Sequence, residues 1–163
     1  MRTVFQSQFW RNNIVEFSKY MPGVDKIVPR IKEVREKTKN NIFMIQCQSI
    51  KHMGYAVKYF CDAMGVNFMD AEAVSIWHVA ELSSMNVAYN RFSEIDTSIN
   101  TFMTPAILAI LDIGYETRET ASFIRYLFLA RQLPILLVSP QDQLITKKYS
   151  SQDSITVIDR LGL

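Results

Sequence analysis

Three apolar runs constrain this chain more than any other feature. They are Ile42-Phe43-Met44-Ile45, Ala106-Ile107-Leu108-Ala109-Ile110-Leu111 and Leu133-Pro134-Ile135-Leu136-Leu137-Val138. Each is far shorter than a membrane span. Each is apolar throughout rather than alternating, which is the pattern of a strand covered on both faces. Between them the period becomes helical. Met53, Ala56, Val57, Phe60 and Met64 share one face of a helix over 52–64, and Gly65 stands where a C-terminal cap belongs. Phe123, Ile124, Leu127 and Phe128 share one face of a second helix over 117–131, with Arg118, Glu119, Ser122 and Arg125 on the other. Buried strands alternating with amphipathic helices predict an α/β fold, three layers deep, with a mainly parallel sheet.

The intervening segments read less sharply. Residues 66–69 are expected as a second short strand. Asp70 is expected to cap a helix running through Ala73, Val74, Trp77 and Leu82, with further helix across 83–104. Residues 157–163 close the chain. Residues 1–40 form a helical lead-in to a core spanning 41–163, the two making one domain of ordinary size for 163 residues. In the lead-in, Met21-Pro22-Gly23 is a turn, and Ile27, Val28, Ile31 and Val34 share a helix face from Val24 onward. Arg30, Lys32, Arg35, Lys37 and Lys39, diluted by Glu33 and Glu36, make either a solvated face or a weak contact with nucleic acid or an acidic partner.

A net charge of +2, from 18 basic and 16 acidic residues, is not that of a strongly basic nucleic-acid binder. Cys47 and Cys61 stand 14 apart with only His52 and His78 to join them, which is neither a disulfide framework nor a zinc site. They read as buried free thiols in a reducing compartment. The start, MRTVFQSQFWRNN, lacks the apolar core of a signal peptide, and no membrane association is expected. A cytoplasmic location follows from these readings.

Right-handed crossovers place the C-terminal ends of parallel strands on one edge, where ligands bind in such folds. That edge should carry residues 46–53, 112–116 and 139–142. Four segments there and beyond, taken in order, carry a resemblance. They are Asn41-Ile42-Phe43-Met44-Ile45, Ala109-Ile110-Leu111-Asp112-Ile113-Gly114-Tyr115-Glu116, Leu133-Pro134-Ile135-Leu136-Leu137-Val138-Ser139 and Ile158-Asp159-Arg160-Leu161. Together they resemble the ATPase domain of bacterial replicative helicase loaders and insertion-sequence ATP-binding proteins, both of the AAA+ class of P-loop NTPases. Asp-Ile-Gly-Tyr-Glu is the most specific part.

The resemblance implies a phosphate loop after the first strand, acidic residues after the second and a sensor after the third. All three are degraded here. A working loop needs glycines so that backbone amides can crowd the phosphates, a lysine for their charge and a hydroxyl for magnesium. Gln46 and Lys51 replace the glycines, His52 the lysine and Met53 the hydroxyl. Shifting the alignment by one residue brings Lys51 to the lysine position but puts His52 at the hydroxyl and Ile50 at the second glycine. Leu111 stands at the metal-linked aspartate, with Asp112 and Glu116 retained nearby. Pro140 replaces the sensor asparagine after Ser139, and Arg160 matches the family's late arginine.

Simpler roles exist for the same residues. Asp112 could satisfy turn amides or cap the next helix, and His52 could be solvated or packed. His78, beside Trp77, reads as a half-buried helix residue, and Arg160 as a salt bridge or cap. Ser49 with His52 is no nucleophile pair, because no glycine-framed elbow surrounds it. The expectation is a probable pseudo-ATPase: a non-catalytic AAA+-like protein without cofactor or metal. It would work by protein–protein contact in DNA replication or a related DNA transaction. It would be an accessory or inhibitor of a replicative helicase, a helicase loader or a related ATPase, of the kind phages and mobile elements encode. The alternatives are a weakened site binding ATP without hydrolysis through Lys51, His52 and helix-start amides, and an unrelated α/β enzyme using Asp112, Glu116 and His52.

Overall fold

The computed structural model describes residues 24–48, 50–83, 101–114, 116–140, 149, 155–158 and 161. Five strands form one sheet: β1 (Ile42–Gln46), β2 (Val74–His78), β3 (Ile107–Leu111), β4 (Ile135–Ser139) and β5 (Ile155–Ile158). Every pairing is parallel, and the order across the sheet is β2-β3-β4-β1-β5. Among the described residues, the helices α1 (Val24–Glu36), α2 (Ile50–Met64) and α3 (Arg118–Ala130) accompany them.

The period of two along each strand splits the core into two layers. Phe43, Ile45, Val74, Ile76, Ile107, Ala109, Leu111, Leu136 and Val138 join a cluster with α1 and α2. Ile42, Met44, Trp77, Leu108, Ile110, Ile135 and Leu137 join a second cluster with α3. Helices therefore cover both faces, which is why the strand interiors carry no polar alternation.

Local chemistry fixes the ends of the helices. Gly65 adopts φ +72, its N–H donates to Asp62 O at 3.3 Å and the Val66 N–H to Cys61 O at 3.0 Å, a Schellman cap on α2. Thr117 caps α3, its Oγ1 accepting from the Thr120 N–H at 3.3 Å.

Arg131, just past α3, is 2% exposed. Its guanidinium donates to the carbonyls of Phe102 (2.8 Å), Pro105 (2.5 Å) and Pro134 (3.1 Å). Burial pulls it down to about 10, so it stays charged at neutral pH. A cation beside a helix C-terminus also complements the α3 dipole.

Two sequence expectations are corrected. The second strand is β2, Val74–His78, where a helix was expected, and residues 66–69 form a turn instead of a strand. Asp70 does act as a cap, but of a turn: its Oδ1 accepts from the Glu72 N–H at 3.0 Å and the Ala73 N–H at 3.4 Å. Val74 and Ile76 then alternate with Ser75 and Trp77, a pairing face that β3 fills in register from Val74↔Ile107 to His78↔Leu111. Val74, Trp77 and Leu82 fit a helical spacing equally well, so partner strand and β-branching decide between the two readings. In 66–69, Phe68 is buried while Met69 is 45% exposed, and the Asn67 side chain closes the turn on the Met69 N–H. Of the expected helix across 83–104, only 101–104 falls among described residues beyond Ser83; 101–103 are helical and Thr104 is a bend.

Candidate functional site

The strand order creates a switch point. From β1 the chain crosses toward β2, and from β4 it crosses the opposite way toward β5. The crevice of an open parallel sheet lies at such a place, outside the strand C-termini. Here it is bounded by Gln46, Ser139 and the turn after β3. Gln46 lies level with Ser139 in the β1–β4 register, and Leu111 lies level with Val138 in the β3–β4 register. The three segments singled out in the sequence therefore end side by side, in the order β3, β4, β1.

Hydrogen bonds link these three ends. The Cys47 N–H donates to Ser139 O at 2.7 Å, so the ladder runs one residue past β1. The Ile113 N–H donates to Val138 O at 3.1 Å, and Ser139 Oγ donates to Ile113 O at 2.8 Å. An amide already spent on a neighbouring carbonyl is not aimed at an anion. Ser139, the residue before Pro140, is fully buried and turned into the protein.

The other residues that the resemblance singles out are placed as follows. Met53, at the hydroxyl position, is 1% exposed and belongs to the core under α2. Leu111, at the metal-carboxylate position, is fully buried in that cluster. His52 is half-buried with its ring edge-on to Tyr55, centroids 6.1 Å apart. Gln46 and Pro140 are half-buried. Ser49, Tyr115 and Arg160 lie outside the described residues, as does the side chain of Lys51.

The two retained carboxylates have separate partners. Glu116 is 6% exposed, accepts from the Gly114 N–H at 2.6 Å and from the Tyr149 hydroxyl, and so closes the turn. Gly114 makes that turn at φ 131. Burial is the main cause that pushes the Tyr149 phenol well up, and the Glu116 carboxylate adds to it. The turn-closing role that the sequence suggested for Asp112 thus falls to Glu116, and the helix cap falls to Thr117.

Asp112 instead faces His78, Oδ2 to Nε2 at 3.3 Å, with both side chains just under a third exposed. His78 is half-buried as expected, but it ends β2 and precedes the helical residues 79–83, so it is a cap residue instead of a helix residue. Its Nδ1 accepts from the Ala80 N–H at 3.1 Å, while Glu81 Oε1 accepts from the His78 N–H at 3.0 Å. This is a reciprocal capping box with imidazole in the usual hydroxyl role. Since Nδ1 accepts, the ring proton sits on Nε2 and faces Asp112. Both nitrogens are engaged, and the pair braces the end of β2 to the β3 turn. The signal for this role is the His-x-x-Glu spacing of His78 and Glu81.

Asp112 also carries φ 61, the one positive value among described non-glycine residues. That conformation is strained for a residue with a Cβ. Replacing Asp112 with Gly should therefore leave the protein about 1 kcal/mol more stable than replacing it with Ala, although both lose the His78 contact. Parallel urea titrations measure the difference, and equal midpoints would show that no strain is held there.

The basic residues of the lead-in are partly neutralised. Glu33 pairs with Lys37 at 2.9 Å and Arg30 at 3.6 Å, and Lys37 foremost holds its carboxyl below the usual range. Among the described residues there is no cluster of three or more potential metal ligands, and no helix is long and apolar enough to cross a membrane. No protein-family model matches the chain, and no curated protein matches it.

Proposed function

We propose that this chain is a non-catalytic relative of the AAA+ ATPases that acts by protein–protein contact in DNA replication or a related DNA transaction. The observation that carries the reading is the convergence of the β3, β4 and β1 ends on one edge. A sensor can reach a phosphate held after β1 only if its strand neighbours β1, and an acidic residue must then flank that sensor. The order β3-β4-β1 meets both requirements. The residues at the meeting point are engaged with one another: the Cys47 amide, the Ser139 hydroxyl and the Ile113 amide all bond within the edge. A scaffold of this kind keeps its core without a nucleotide and offers its surfaces to a replicative helicase, a helicase loader or a related ATPase.

Calorimetric titration with magnesium and ATP tests the loss of the nucleotide. The expected result is no binding tighter than about 100 μM, which corresponds to about 5.5 kcal/mol. Tighter binding without turnover would replace this reading with that of a weakened nucleotide site. Affinity purification of the tagged protein tests the pathway: a replicative helicase or its loading ATPase should be recovered, and its absence counts against the assignment.

A further inference from the structure

The sheet edge opposite the switch point holds a groove of about 440 Å³, open to solvent, where β1 and β4 begin. The volume falls within the usual range for a small-molecule site. Each helix brings its C-terminal end there: Arg35 and Glu36 close α1, Met64 closes α2, and Gln132 stands two residues past α3. Helix C-termini carry partial negative charge and favour a cation. Buried Arg131 meets that charge at α3, whereas α2 has no basic residue in its last turn.

The polar wall of the groove holds groups of both charges that the protein itself does not engage. Arg35 and Glu36 are neighbours, and neither makes an ion pair among the described residues. Asn41 donates through Nδ2 to Arg131 O at 3.1 Å and to Leu133 O at 3.4 Å. Backbone carbonyls can only accept, so this amide has one orientation, and its Oδ1 is left as an acceptor. Asn40 donates through Nδ2 to Thr156 Oγ1 at 3.2 Å, and its Oδ1 likewise accepts from no described residue. The wall thus combines one guanidinium, one carboxylate and two amide carbonyls, while Met64 and Pro134 contribute apolar surface.

We propose that this groove binds a free α-amino acid with an apolar side chain. The inference goes beyond the pathway assigned above and does not depend on it. An α-ammonium carries three N–H donors, which match the Glu36 carboxylate and the two asparagine carbonyls, and it suits the negative helix ends. An α-carboxylate matches the planar fork of Arg35. The apolar side chain then lies against Met64 and Pro134. Ligands of a single charge fit less well. A phosphate or a simple carboxylate meets repulsion from Glu36 and gives the asparagine carbonyls no donor. A simple amine leaves Arg35 without an acceptor.

NMR titration of the isotope-labelled full chain with L-leucine tests this. A dissociation constant of about 1 mM or tighter is expected, with the side-chain amide signals of Asn40 and Asn41 shifting. N-acetyl-L-leucine lacks the ammonium and 3-methylbutylamine lacks the carboxylate. Each should bind about ten-fold more weakly, the loss expected for one charge-assisted hydrogen-bonded contact. Glu36→Gln should weaken leucine about ten-fold but leave N-acetyl-L-leucine unchanged. Arg35→Gln should weaken leucine by a similar factor and leave 3-methylbutylamine unchanged. Both substituted side chains are exposed on α1, and circular dichroism checks the fold. An absence of binding up to about 10 mM leucine would overturn the proposal. So would either analogue binding as tightly as leucine, or leucine binding to both variants as it does to the wild-type protein.

Discussion

Arg131→Met is expected to lower the unfolding free energy by about 3 to 5 kcal/mol, the range for stripping one partner from a buried charged contact. The guanidinium holds the carbonyls of Phe102, Pro105 and Pro134 and is itself 2% exposed. These carbonyls come from the approach to β3 and the approach to β4, so one side chain fixes the spacing of two neighbouring strands at their N-terminal ends. Methionine nearly fills the volume but donates nothing, and takes this donor from the Phe102 and Pro105 carbonyls, while Pro134 O keeps the Leu108 N–H at 3.2 Å. The loss is a large share of a typical stability of about 5 to 15 kcal/mol. Arg131→Lys should recover only part of it, because one ammonium cannot reach three carbonyls in a fork geometry. Urea denaturation of the three proteins decides the matter. A loss below about 1 kcal/mol for the methionine variant would show that solvent reaches those carbonyls.

The sequence made the frame of this fold legible and its polar joints illegible, for physical reasons. Strands β1, β3 and β4 and helices α2 and α3 were readable because burial on both faces demands continuous apolar runs, and a single wetted face demands a helical period. Gly65 was readable because a left-handed cap leaves few other choices. The second strand was not, since Val74, Trp77 and Leu82 suit a helical spacing and only the presence of β3 decides against it. Arg131 drew no notice because an arginine after a helix is ordinary, and its burial depends on three carbonyls up to 29 residues away. Likewise, Asp112 and Glu116 could be picked out as carboxylates near the edge, but not assigned. Which one closes the turn depends on Tyr149, 33 residues further on, and which one meets His78 depends on β2 lying beside β3. The edge itself was readable as the C-terminal edge of a parallel sheet, where three segments meet. That its donors are taken up by carbonyls of the same edge was not, because those acceptors are backbone atoms whose direction the sequence does not specify.

Alkaline unfolding should be unusually steep, because three buried tyrosines oppose ionisation. Burial raises Tyr55, raises Tyr59 to about 12 and raises Tyr149 further. An unfolded phenol titrates near 10. Above that pH the unfolded chain has lost protons that the folded chain keeps, so stability falls as pH rises. Each such tyrosine contributes at most about −1.4 kcal/mol per pH unit, which bounds the three together at about −4. Arg131 works the other way. Its folded value of about 10 lies below that of a free guanidinium, so the unfolded chain holds the extra proton and this group adds about +1.4. The net slope at its steepest is about −3 kcal/mol per pH unit. Urea midpoints from about pH 9 to about pH 11.5 should therefore collapse, after a flat stretch below pH 10. Tyr59→Phe separates this linkage from simple packing loss. The Tyr55 and Tyr59 hydroxyls are buried without a hydrogen-bond partner among the described residues, so removing the Tyr59 oxygen should not lower stability at neutral pH. It should flatten the alkaline slope by about 1.4 kcal/mol per pH unit. Stability that holds level or rises above pH 10 in the wild-type protein would mean that solvent reaches these phenols.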